Sequence, residues 1–287
     1  MVTSIASAFR QFSSNLEVTH LQESTISTRQ QNVRDAVARD FVVLDTFLTG
    51  SYRRSTMIAP LSSADIDVFV VLDPKYYAAA NQVGLLNSVK ATLKKKYPST
   101  PKIKPDGQAV TITFTDFKVD VVPGFYRKGG GYLIPDANRK RWISTDPKRH
   151  VELWSASNKA HSGSLIPLIK MIKCWNRNEG NRFRSFHLEV LVRQVLTDVG
   201  ITDFPSGARW VFDKMRTKVW TKVQDPAGYS DDIAPFLTHS EAQRMIAALD
   251  LAYRRAVAAE VNAQRGYVRI AMEGWSAIFG DQFPRYG

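Results

Sequence analysis

Two aspartates one residue apart open an apolar run: in "SADIDVFVVL", Asp65 and Asp67 precede Val68–Leu72. In an extended chain, residues i and i+2 project from one face. Asp65 and Asp67 therefore share a side, while Ile66, Val68, Val70 and Leu72 take the other and read as core. Like charges held this close beside an apolar core repel, and the repulsion must be neutralised. Hard carboxylate oxygens suit Mg²⁺, with Mn²⁺ as the alternative. Two such ions about 3.5–4 Å apart form a device for phosphoryl transfer: one activates an attacking hydroxyl, the other steadies a triphosphate and its leaving pyrophosphate. The device wants a third carboxylate from a neighbouring strand. "FKVDVVPGF" offers it, with Asp120 opposite an apolar stripe of Phe117, Val119 and Val121. If the two strands are adjacent, Asp120 joins Asp65 and Asp67. The plainer reading makes all three unrelated strand-end or turn residues.

A Gly-Ser pair lies upstream. Gly50 lets backbone N–H groups approach a phosphate with no Cβ in the way, and the Ser51 hydroxyl can donate to a phosphate oxygen. Taken alone, the pair reads more simply as a helix C-cap followed by a turn. Further on, Leu165–Asn178 reads as a helix with an apolar face of Leu165, Leu168, Ile169, Ile172 and Trp175. Lys170, Lys173 and Arg177 fall on an adjoining face, which suits either a triphosphate or plain solvent.

The elements that must position these residues run α, then β-rich, then α. Helices are expected over Ser4–Val18 and over Ser24–Phe47, where Val33, Val37, Phe41, Val42 and Leu44 give helical spacing. Ile66–Leu72 reads as a strand and Gln82–Tyr97 as a helix stopped by Pro98. Strands follow over Lys102–Lys104, Val110–Phe114 and Lys118–Val122, with turns at Pro105–Gly107 and Thr115–Asp116. "YRKGGGYLIPD" reads as a loop or wide hairpin. From there the pattern is helical: Lys148–Ala160, Leu165–Asn178, Ser185–Val199, Ser206–Lys222, Ser240–Asn262 and Tyr267–Phe279. The fold class is α+β, with N-terminal helices and a sheet lobe over 1–146 and a helical lobe over 147–287.

The 287 residues carry a formal net charge of +12 and a single cysteine, Cys174, which excludes internal disulfides and Cys-rich zinc sites. The N-terminus shows no signal-peptide core and no apolar run is long enough to span a bilayer, so a cytoplasmic protein with no membrane partner is the expectation. The charge suits an anionic partner such as a nucleotide or nucleic acid, or serves general solubility. Lys and Arg cluster at Lys94–Lys96, Arg139–Arg141, Lys148–Arg149 and Arg177–Arg184.

Together, "GSYRRST", "SADIDVFVVL" and "FKVDVVPGF" resemble the nucleotidyltransferase fold of the polymerase-β superfamily. More narrowly, the chain resembles the cGAS/DncV-like nucleotidyltransferases of bacterial anti-phage signalling. "LIPLIKMIKCWNR" and "FRSFHLEVL" resemble that family's lysine-bearing helix and Ser-aromatic-His-Leu-Glu segment, so the likeness covers about Gly50 to Leu191. Polar Thr49 stands where the family often has an apolar residue. The resemblance implies a polymerase-β-like sheet lobe packed against a helical lobe that completes a nucleotide cleft. It implies metal-dependent joining of nucleoside triphosphates into a cyclic oligonucleotide messenger, with two Mg²⁺ (or Mn²⁺) ions on Asp65, Asp67 and Asp120. Gly50 and Ser51 would hold phosphate, Lys173 would contact the triphosphate, Ser185 a phosphate, and Phe186 would stack on a base, with His187 structural. ATP and GTP are favoured over pyrimidines. An activating RNA on the basic clusters, and a conjugating or regulatory partner acting through Gly287, are further implied partners. Linear 2′-5′ oligonucleotide synthesis, RNA tailing, and a non-catalytic RNA-binding or protein-modifying role are the alternatives.

Overall fold

The computed structural model describes residues 2–230, 232–234 and 237–287. In chain order the elements are α1 (Ile5–Asn15), α2 (His20–Val37), β1 (Val43–Leu48), α3 (Gly50–Arg53), β2 (Asp65–Leu72), α4 (Gln82–Lys96), β3 (Ile103–Asp106), β4 (Ala109–Thr113), β5 (Lys118–Tyr126), β6 (Tyr132–Asp136) and β7 (Arg141–Thr145). Six helices follow among the described residues: α5 (Pro147–Ala160), α6 (Leu165–Asn178), α7 (Ser185–Val195), α8 (Phe204–Lys218), α9 (His239–Gln264) and α10 (Val268–Phe279). The class is α+β, as expected. The chain forms two compact units, one of Val18–Leu153 with Pro226–Ser230, the other of Met1–Glu17, Trp154–Asp225 and Asp231–Gly287. No helix among the described residues is long and apolar enough to cross a membrane.

In the sheet unit the strand order is β1-β2-β5-β4-β3, and β6 and β7 extend the sheet from β5. Among the described residues, only the β2–β5 pair is parallel. Alternation along β2 explains the packing. Ile66, Val68, Val70 and Leu72 enter the main core, with Val33 and Val37 of α2 and Leu86, Val89 and Leu93 of α4. The opposite face begins with Asp65 and Asp67 and continues into Phe69 and Val71, which pack with Phe47, Tyr132 and Ile134. Phe47 and Phe69 stack with ring centroids 5.0 Å apart. The carboxylates thus stand at the polar end of a face that is otherwise buried.

The expected helix over Ser24–Phe47 is corrected. It ends at Val37, and Val43–Leu48 is β1, antiparallel to β2 with Phe47 opposite Phe69. The apolar residues Phe41–Leu44 fit both periods, and pairing with β2 decides between them. Asp40 anchors the turn by accepting hydrogen bonds from Thr92 Oγ1 and Lys95 Nζ, each at 2.7 Å. Gly50 consequently follows a strand, so the helix C-cap reading of the Gly-Ser pair does not hold. The glycine loop is a hairpin turn in which the Arg127 N–H donates to the Gly131 carbonyl, and β7 is a strand the sequence reading missed. At the far side, α7 stops at Val195 rather than Val199, and α8 starts at Phe204, where Asp203 caps the Ser206 N–H.

The helical unit takes α1 as well as the C-terminal helices. Phe9 and Phe12 of α1 pack edge-on and tilted against Trp275 and Phe279 of α10, with centroids 5.0 and 4.7 Å apart for the Phe9–Trp275 and Phe12–Phe279 pairs. Each such buried ring contributes about 1.5–3 kcal/mol, enough to fix α1 on this unit.

Candidate active site

The parallel register of β2 and β5 sets Asp67 beside Asp120 and Asp65 beside Lys118. Neighbouring strands lie about 4.7–4.9 Å apart, so register partners on one face are in direct reach. On the other side of β5, Thr111 of β4 is opposite Asp120, and its hydroxyl donates to Asp120 Oδ1 at 2.6 Å. Burial pushes the Asp120 carboxyl above the usual carboxylate range, the Thr111 hydrogen bond opposes this, and the charge of Asp65 adds to the rise. Asp65 itself is about half exposed and leans toward Lys118, with Nζ 3.5 Å from Oδ1.

Gly50 closes the arrangement from the β1 side. Its φ is +63°, and a Cβ there would overlap the Asp67 carboxylate. The preceding Thr49 N–H donates to the Asp67 carbonyl at 2.9 Å, which locks the turn to β2 at the second aspartate. α3 starts here, and the Ser51 carbonyl accepts from the Thr56 and Met57 N–H groups at 2.9 and 3.1 Å. The Ser51 hydroxyl makes no hydrogen bond among the described residues.

The structure therefore brings together Gly50, Asp67 and Asp120, with Asp65 on the same face. As the side chains stand, no three His, Cys, Asp or Glu residues among those described are gathered closely enough to hold a metal ion. The donor set nevertheless fits a divalent cation. Two carboxylates are register neighbours, and Asp120 is half-buried where desolvation penalises its charge. Asp65 would join them on releasing Lys118, and an exposed pair of that kind is worth only about 0–1 kcal/mol.

In the helical unit, Lys173 is nearly buried, and its Nζ lies 3.0 Å from Oε1 of Glu189, which is fully buried. The same Oε1 accepts from the Ser185 hydroxyl at 3.4 Å. Lys173 and Lys170 are not on a solvated face. Lys170 is buried too, and pairs with Glu17 at the end of α1 at 2.6 Å. Phe186 is half-buried and stacks on Trp154, centroids 5.8 Å apart. His187 is buried, its Nε2 has no hydrogen-bond partner among the described residues, and burial pushes its pKa down to about 4. Gly287 exchanges two backbone hydrogen bonds with Val2, each 3.2 Å. Several residues of the basic clusters are held in ion pairs: Lys95 with Asp40, Lys148 with Asp45, and Arg149 with Glu152.

Thr111 and Glu189 are the contributors that sequence reasoning assigned no role. Each left a signal: Thr111 is a hydroxyl inside the apolar run "AVTIT", and Glu189 lies one helical turn beyond Ser185.

Residues 3–158, more than half of the chain, match the family described as Second Messenger Oligonucleotide or Dinucleotide Synthetase domain. The chain belongs to this family, the cGAS/DncV-like nucleotidyltransferases. Among its relatives, a probable cyclic nucleotide synthase of Bacillus cereus is 24% identical over 277 residues, covering 83% of this chain and 81% of the relative. A cyclic AMP-AMP-AMP synthase of an Acinetobacter species is 30% identical over 190 residues, covering 62% of this chain and 55% of that one. The fold matches the structure of E. coli MS115-1 CdnC with ATP at a TM-score of 0.79 and 19% identity, covering 97% of this chain and 98% of that one. The family's nucleotidyltransferase fold thus accounts for the mixed sheet and for the helices that follow it.

Proposed function

We propose that the protein joins nucleoside triphosphates, ATP and GTP before pyrimidines, into a cyclic oligonucleotide second messenger of anti-phage defence, releasing pyrophosphate. The observation that carries this reading is the Asp67–Asp120 register with the Gly50 backbone laid against Asp67. It lays a backbone without a Cβ directly against one of two carboxylates that are register neighbours. The names of the curated relatives, cyclic nucleotide synthases, support the same product class.

Asp65, Asp67 and Asp120 are the residues that would hold Mg²⁺ or Mn²⁺. Bound there, the metal supplies charge neutralisation and a more acidic attacking hydroxyl. The chain's own residues do the rest. Thr111 fixes the Asp120 carboxylate by its hydrogen bond. Backbone N–H groups at Gly50 and the Ser51 hydroxyl orient phosphate oxygens. Lys173 and Ser185 are assigned to the triphosphate, and the Phe186 ring, backed by Trp154, to a base face. The proposal includes a cytoplasmic location, an activating RNA on the basic clusters, and a regulatory protein partner.

The test is incubation of the purified protein with labelled triphosphates and Mg²⁺, with and without RNA, followed by phosphatase and mass spectrometry. A small, phosphatase-resistant product is expected. A phosphatase-sensitive oligomer would establish linear synthesis instead, label on RNA would establish tailing, and label on protein would establish modification.

A further inference from the structure

Lys170 and Lys173 sit one turn apart on α6, and both end in a carboxylate, yet the two pairs differ. Glu17, the partner of Lys170, is about half exposed, at 54%. Glu189, the partner of Lys173, is at 0%, and its Oε1 holds the Lys173 ammonium at 3.0 Å and the Ser185 hydroxyl at 3.4 Å. Ser185 is exposed and opens α7, whose N-cap Arg184 supplies no side-chain hydrogen bond to the helix start. A helix N-terminus favours an anion, so a hydroxyl and an ammonium are fixed beside an anion-attracting end by one oxygen atom.

Stability alone does not explain this carboxylate. Replacing a buried ion pair by apolar residues of similar volume is often neutral or stabilising. An acid next to an anion site also repels the anion, unless its role is to hold the cation that binds it. Full burial meets that condition: Glu189 lies beneath Lys173 and offers no oxygen to solvent.

We propose that Glu189 is a positioning residue that presets Lys173 for the outer phosphates of a nucleoside triphosphate. The inference rests on the nucleotidyltransferase reading above and adds to it a residue that touches no substrate.

The experiment is calorimetric binding of ATP and of AMP, each with Mg²⁺, to the full chain carrying Glu189→Gln, Glu189→Asp, Lys173→Met, or Lys173→Met with Glu189→Gln. In Glu189→Gln, ATP affinity should fall about tenfold or more while AMP affinity stays within about twofold, because AMP lacks the outer phosphates. In the Lys173→Met background, Glu189→Gln should change ATP affinity by less than about twofold, as expected for a residue acting through the lysine. Glu189→Asp keeps the charge but withdraws it by one methylene, so ATP affinity should fall there too. Equal losses for ATP and AMP, or ATP binding as tight as wild type in Glu189→Gln, overturn the inference alone. Should Glu189→Gln fail to fold, wild-type ATP affinity in Glu189→Asp overturns it. A wild type that binds no ATP overturns the nucleotidyltransferase reading and this inference with it.

Discussion

Gly50 and Asp67 are packed so closely that no side chain fits between them: the Gly50 backbone, at φ +63°, occupies the space that any Cβ would share with the Asp67 carboxylate. The Gly-Ser turn and the Asp-x-Asp strand are therefore one structural unit, although Gly50 and Asp67 lie seventeen positions apart in the sequence.

Gly50→Ala should accordingly fail twice. A left-handed backbone costs a non-glycine residue about 1–2 kcal/mol, and the new methyl displaces the second aspartate. Thermal unfolding should show a modest loss of that order. Initial rates of triphosphate consumption should fall about a hundredfold or more, since a misplacement near 1 Å at a reacting group has that effect. A variant that melts early but turns over normally would separate the glycine from the chemistry.

Asp67→Asn tests the carboxylate itself. Synthesis should be lost while the fold persists, because the acids act as a unit. In EDTA the variant should melt at or above the wild-type temperature, since it relieves like-charge repulsion beside Asp120. Mg²⁺ should raise the melting temperature of the wild type and leave the variant's nearly unchanged. Near-normal turnover in Asp67→Asn would remove the central assignment.

Much of this site was legible in the chain because β-structure has a period of two. The alternation around Asp65, Asp67 and Asp120 assigns them to the face away from the core without any knowledge of the partner strand. What alternation does not carry is pairing. That β2 and β5 are neighbours, parallel and in a register placing Asp67 against Asp120, depends on contacts between distant segments. The same limit hid β1. Val42, Val43 and Leu44 satisfy a helical or an extended pattern equally, and only the empty edge of β2 selects the strand. Glu189 stayed without a role for a related reason, since its meaning lies in Lys173 on another helix.

Thr111 and Asp120 yield a pH prediction for the metal-free protein. Burial raises the folded Asp120 pKa above 3.8, so the folded state binds a proton more readily than the unfolded state does. Stability attributable to this group is therefore present below pH 3.8 and is lost as pH rises through the folded value. Thr111→Val removes the hydrogen bond that lowers the pKa. It should move this window upward, an effect read by following the Asp120 carboxyl by NMR in EDTA. In the active enzyme the acid limb of the rate profile should shift the same way. An unmoved or lowered carboxyl pKa would show that the hydroxyl does not control it.

His187 predicts the opposite slope. Burial pushes its pKa from 6.5 down to about 4, with the nearby Asp232 partly opposing and Arg184 adding to the shift. The unfolded state then binds the extra proton first. Stability from neutral His187 is fully present above pH 6.5 and is lost as pH falls toward 4. A shift of this size corresponds to about 3 kcal/mol. His187→Leu should flatten the stability curve between pH 6.5 and 4. At neutral pH it should cost little, because the side chain it removes has a buried Nε2 with no hydrogen-bond partner. Urea unfolding at intervals across that range, on wild type and variant, provides the measurement. If the two proteins lose stability in parallel on acidification, another group governs the acid transition and His187 is not buried neutral.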